Sequence, residues 1–428
     1  MRSRAHWGAL GVCLGLFAIA NCSDDEAAGP PAGDSGTADG TTGGGDSGGG
    51  GSDANGGADT GAGGDTGTTD AGTTDAPTDA PPDASPGGGF TISAPVSVFA
   101  VPVGFAGTTT QHVVVASTSG GVTLRALADG ALRGTSLTAA SQPRGAVAYQ
   151  TRINLGDGGT QLDDIVQFFN NTTQANSAWN AAATDWGLSQ LLPPFPCNGC
   201  TFSDLAVGPA QVPPTGHVIT ANTGGADPRV GYSHYDAGAS AIVSSITSSV
   251  RLKVGGVGPH LPVSAAQASV TQQGLVVAVP ADGGAGGQLF VHDRTVADAT
   301  HVGSAGESPR MIRCSEQVCI VTNSGSNNAT VFTWNGAATV ANITNVAVGN
   351  VPQGVDIKKT GANYVAVVAN ASAGTVNVVV LNASAGVVSN TTVTLTGCAN
   401  PRSVSHVPGT DTYAVACTID NKIVVRAL

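Results

Sequence analysis

Three arginines in this chain follow a proline at the entry to a repeat, in Pro143-Arg144, Pro309-Arg310 and Pro401-Arg402. Pro259-His260 and Pro352-Gln353 place two more hydrogen-bonding side chains after a proline. A guanidinium is a planar fork of N–H donors that stays charged, which matches a carboxylate or a phosphate. Other chemistry is poorly supported. The chain has no Walker A loop and no HExxH helix. Gly45-Asp46-Ser47-Gly48-Gly49 has the G-x-S-x-G spacing, but that motif needs a strand-turn-helix to hold its serine. Only Ala, Gly, Pro, Asp, Ser, Thr and Asn occur from Ala27 to Gly89, so no such element is expected around it. Asp163-Asp164 makes a poor acid/base pair, because adjacent strand residues point to opposite faces. His217, His234, His292, His301 and His406 are scattered without metal-ligand spacing, and neither a metal nor a cofactor is expected. Cys197-Asn198-Gly199-Cys200 has the spacing of a redox or zinc half-site, yet no second pair accompanies it. Haem attachment would require a histidine where Thr201 stands.

The elements that must position these residues begin after a long polar stretch. The formal net charge is −12, divided as +2 over residues 1–22, −13 over 23–89 and −1 over 90–428. The folded body is therefore nearly neutral, and a basic nucleic-acid-binding surface is excluded as the default. Residues 1–22 read as an export signal: Arg2 and Arg4, then 13 apolar residues from Gly8 to Ala20, too few for a permanent span. The sequence Ile19-Ala20-Asn21-Cys22 resembles a bacterial lipobox, with Asn21 where a smaller residue is usual. That resemblance implies acylation of Cys22 and, with Ser23 next to it, delivery to the outer membrane or cell surface. Ala18-Ile19-Ala20 also fits a plain cleavage site, which would give a periplasmic or secreted protein. Residues 23–89 lack side chains that could build a core and are expected to be a disordered linker. Its 67 residues would span roughly 45 Å, by about 5–6 Å × √n.

The body, residues 90–428, repeats. Apolar runs start at Val113, Ile165, Val218, Leu275, Cys319, Val365 and Tyr413, a mean period of 50 residues. Four short strands and their turns fill that period. Continuous apolar runs suit strands covered on both faces. Asn363-Tyr364-Val365-Ala366-Val367-Val368-Ala369-Asn370, followed by Thr375-Val376-Asn377-Val378-Val379, resembles the YVTN repeat, as does Val321-Thr322-Asn323 before Thr330-Val331-Phe332. Gly349-Asn350-Val351-Pro352-Gln353-Gly354-Val355 matches the Gly-x-x-Pro-x-Gly-Val lead-in of that repeat. The resemblance to YVTN/lactonase-like proteins implies an all-β fold, a seven-bladed β-propeller. The second repeat is weak, with an insertion near Asn171–Pro194. The last repeat ends one strand short, and the segment Ile92–Val98 is expected to supply it and close the ring.

In propellers of this type the start of each innermost strand lies near the mouth of the central channel. The resemblance therefore gathers Arg144, His260, Arg310, Gln353 and Arg402 into one ring, with apolar Val103 of Pro102-Val103 in the first repeat and Ser203 of Phe202-Ser203 in the third. Such a ring would attract an anion; the conservative reading is that each arginine serves a local acid or carbonyl. Six body cysteines suit an oxidising compartment. Cys314 and Cys319 flank a tight strand connection, Cys197 and Cys200 would bridge a loop, and Cys398 pairs with Cys417. The function expected is a surface-anchored binding or scaffold module for a small anion, glycan or protein, not nucleic acid. The alternative is a lactonase- or lyase-like enzyme with its site at the channel mouth.

Overall fold

Each apolar run is the second strand of a four-stranded antiparallel sheet. The seven strands are His112–Ser117, Thr160–Asn170, Val218–Asn222, Gln273–Pro280, Val318–Asn323, Asn363–Asn370 and Thr412–Cys417. Val318–Asn323 is buried along its whole length, and so is Tyr364–Asn370, because neighbouring sheets cover both faces. A strand with one wet face would alternate; these do not.

The computed structural model describes residues 88–137, 143–154, 160–170, 174–179, 190–191, 202–207, 218–222, 229–236, 241–246, 252–266, 273–293, 296 and 298–428. The export signal, Cys22, the linker up to residue 87, Cys197, Cys200 and His217 lie outside them. Among the described residues there are seven four-stranded sheets and one short 3-10 turn, Phe105–Gly107. No described helix is long and apolar enough to cross a membrane.

The first strands of the sheets are Pro95–Val101, Pro143–Asn154, Phe202–Val207, His260–Ala266, Pro309–Ser315, Pro352–Thr360 and Pro401–His406. Numbered one to seven in that order, each packs against the next, and Pro401–His406 returns to Pro95–Val101. These strands ring the channel. Apolar clusters fill the gaps between sheets, as where Val114, Ala116 and Leu124 of sheet one meet Ala148, Val166 and Phe168 of sheet two. Each such side chain contributes about 1.5–3 kcal/mol by leaving water, less for alanine.

Ring closure differs in detail from the expectation. Gly89–Thr91 is the added outer strand, pairing with Lys422–Ala427 in the last sheet. Pro95–Val98, expected to close the ring, instead begins the innermost strand of sheet one. A strand covering the outer edge needs only three residues there, and Phe90 within it and Ile92 just after it are buried.

Innermost strands leave one backbone edge without a sheet partner, which costs free energy unless satisfied. Side chains from neighbouring sheets do this. Ser403 Oγ and Ser405 Oγ accept from the Val98 and Ala100 N–H groups at 3.2 and 3.0 Å. Ser264 Oγ accepts from Ile312 N–H at 2.9 Å, and Asp356 Oδ2 accepts from His406 N–H at 2.8 Å. Backbones also approach closely: a Cβ on Gly354 would collide with the Arg402 carbonyl.

Candidate functional site

Every innermost strand carries a register shift at its start. The shifts fall at Pro95/Ser97, Pro143/Gly145, Phe202/Asp204, Pro262/Ser264, Pro309/Met311, Pro352/Val355 and Pro401/Ser403. A bulge inserts an unpaired residue and re-aims its side chain. The side chains so released are those of Val96, Arg144, Ser203, Val263, Arg310, Gln353 and Arg402, with Gly354 beside Gln353 in sheet six. All seven line one cavity of about 340 Å³, together with Phe169 and Met311. This cavity is the mouth of the channel.

The structure thus brings together four of the five residues expected there: Arg144, Arg310, Gln353 and Arg402. It does not bring His260. That residue precedes the bulge by three positions, is buried, and donates from Nδ1 to the Leu252 carbonyl at 3.2 Å. It packs edge-on against Phe290 and lines a separate apolar cavity with Val254, Val257 and Pro259. The bulge of sheet four follows Pro262, so Val263 takes the ring position. Likewise Val103 lies in an exposed turn after the first strand, and Val96 takes its place. A proline marks these bulges only loosely, because two nearby prolines compete in each case.

Arg144, Arg310 and Arg402 are exposed to the mouth. Arg310 Nε donates to Ser324 Oγ at 2.9 Å, which aims the guanidinium and leaves its terminal N–H groups open. No described carboxylate is within ion-pair distance of these three arginines.

A smaller cavity of about 110 Å³ continues from the mouth and shares Val96, Arg144, Ser203 and Arg402 with it. Its polar wall was not anticipated. Arg313 Nη1 and Nη2 donate to the two carboxylate oxygens of Asp204 at 2.7 and 2.9 Å. Ser264 Oγ also donates to Asp204 while accepting from Ile312 N–H. One chain of bonds so ties sheets three, four and five. Burial pulls the Arg313 pKa down, but the charge and hydrogen bonds of Asp204, with Asp356, outweigh it and raise it. The sequence did carry a sign: charged residues inside the short strands Phe-Ser-Asp-Leu-Ala-Val and Pro-Arg-Met-Ile-Arg-Cys-Ser.

The side chains of Asp163 and His234 lie outside the described ones, and the remaining described candidates bond within the fold. Asp164 is buried and accepts from Ala106 N–H, pinning the 3-10 turn. His292 bonds the Val296 carbonyl at 2.9 Å, His301 bonds Gln288 Oε1 at 2.9 Å, and His406 bonds the Val365 carbonyl at 3.0 Å. Among the described residues no three His, Cys, Asp or Glu side chains converge as a metal set. Cys314 and Cys319 are register partners across a hairpin, with Cα atoms 4.1 Å apart and sulfurs at bonding distance. Cys398 and Cys417 are bonded likewise, with Cα atoms 5.1 Å apart.

No protein-family model matches the chain, and no curated protein resembles it in sequence. Among solved structures, the β-propeller domain of Cps50 (Swd1) from Myceliophteria thermophila superposes with a TM-score of 0.51 at 10% identity. The match covers 79% of this chain and 99% of that domain. The Dos1 propeller aligns at a TM-score of 0.45 and 10% identity, covering 74% of this chain and 75% of that one. The chain is an all-β protein with a β-propeller fold; at such identity the likeness speaks for the fold alone.

Proposed function

We propose that this protein is an exported binding module whose propeller takes an anionic ligand at the channel mouth. The observation that carries the reading is the set of three arginines, Arg144, Arg310 and Arg402, released by equivalent bulges into one cavity with no described carboxylate to neutralise them. Guanidinium groups carried on paired strands have their backbone already fixed, so binding a carboxylate or phosphate orders the side chains alone. The export segment and Cys22 support a lipid-anchored protein of the outer membrane or cell surface, with the acidic linker as its spacer. The YVTN-like repeats are compatible with that setting. A lactonase- or lyase-like enzyme is less well supported. Such chemistry needs an uncommitted acid or base, and the two described channel carboxylates are engaged, Asp204 by Arg313 and Asp356 by backbone N–H groups.

Isothermal calorimetry with citrate and with inorganic phosphate tests the reading. Wild type should bind at least one of them, more weakly as salt rises. An Arg310→Ala, Arg402→Ala variant should bind at least tenfold more weakly. Equal heats for the two proteins would remove the proposal. Intact-mass analysis of the exported protein tests the anchor: a mature chain beginning at Asn21 without lipid contradicts it.

A further inference from the structure

The order of residues around the mouth says more than their charge. Reading sheets one to seven, the ring is Val96, Arg144, Ser203, Val263, Arg310, Gln353 and Arg402. Arg310 and Arg402 are two sheets apart. Arg402 and Arg144 are also two sheets apart across the closure, and Arg144 and Arg310 are three apart. Seven positions cannot be divided more evenly into three, so the cations approach three-fold spacing about the channel axis. Between them stand apolar or neutral groups: Val96 between Arg402 and Arg144, Ser203 and Val263 between Arg144 and Arg310, and Gln353 between Arg310 and Arg402. Phe169 and Met311 add apolar surface to the same cavity.

We infer that the mouth is shaped for a ligand carrying three separated carboxylates around an apolar centre, rather than for a single compact oxyanion. This rests on the anion-binding reading above. A compact ion can sit against one or two of three cations spaced around a ring, and it leaves the apolar wall wet. A three-armed carboxylate can meet all three guanidiniums at once while its core covers Val96, Val263, Phe169 and Met311. Each arm adds a charge-assisted bond, and the first arm fixes the other two near their partners. Gln353 supplies a neutral donor between two of the arms.

The test is calorimetry on the full chain at low salt with four probes: benzene-1,3,5-tricarboxylate, benzene-1,3-dicarboxylate, benzoate and inorganic phosphate. Affinity should fall at least tenfold from the tricarboxylate to the dicarboxylate and again to benzoate. Phosphate should bind no better than the dicarboxylate. Arg144→Gln, Arg310→Gln and Arg402→Gln should each weaken the tricarboxylate about tenfold and leave benzoate within about threefold. Phosphate binding equal to or tighter than the tricarboxylate, still lost in the Arg310→Gln protein, would overturn this inference and leave the anion reading standing. So would a loss confined to one arginine. Binding of none of the four probes would overturn both. Circular dichroism of each variant, matching wild type, secures that losses come from the mouth.

Discussion

Replacing Asp204 by alanine should destabilise the fold far more than loss of a surface charge. Asp204 is 7% exposed and Arg313 21%, so the pair sits mostly out of water. Removing one partner of a buried pair typically costs 3–5 kcal/mol, because the other charge is left uncompensated. The partial access of Arg313 to the channel places the expected value at the lower end, about 3 kcal/mol. Cooperative unfolding of residues 88–428 carries an entropy of about 2.1 cal/mol/K per residue, or about 0.7 kcal/mol per degree. The Asp204→Ala protein should therefore melt about 4 °C below wild type in differential scanning calorimetry. Asp204→Ala combined with Arg313→Leu should recover about half of that loss, since no bare charge remains. The coupling is read as a double-mutant cycle. A single-variant shift under about 1 °C would refute the reasoning. So would a double variant whose loss equals the sum of the two single losses, because the two side chains would then act independently.

Two further outcomes follow from the same structure. The Cys398–Cys417 bridge closes a loop of separation 19 and Cys314–Cys319 one of separation 5. Paired serine replacements should cost about 3 and about 2 kcal/mol respectively by loop entropy, and a denaturant titration giving the reverse order would reject that account. Burial holds the imidazoles of His112, His292 and His406 below their ordinary pKa, opposed more weakly by neighbouring groups such as Asp356 beside His406. Below about pH 6.5 the unfolded chain takes up protons that these groups refuse, so stability is full above that pH and is lost as the pH falls through it. The melting temperature should drop between pH 7.5 and 5.5, and the drop should shrink in a His406→Asn variant; a flat profile in wild type would contradict this.

The repeat was readable because its loudest signal has a simple cause. Second strands covered on both sides leave Val113–Ala116, Val365–Ala369 and Tyr413–Ala416 as unbroken apolar runs. Arg144, Arg310, Gln353 and Arg402 were readable for a related reason: a single proline opens each of those strands next to the bulge. His260 and Val103 were misplaced because Pro259 and Pro102 stand near the true positions, Pro262 and Pro95. Which proline borders a bulge depends on strand pairing, and pairing is not a local property of the chain. The Asp204–Arg313 bond joins residues 109 apart and had no local signature beyond two charges in short strands.

The sequence by itself determined the all-β repeat, its period, the uneven division of charge and the close cysteine pair 314–319, since each depends on composition or on neighbours along the chain; the 398–417 pair was reached only as the remainder. Only the tertiary structure decided which residues face the channel. A bulge selects the side chain that turns inward, and only the packing of the seven innermost strands into a closed ring sets three arginines from distant repeats around a single opening.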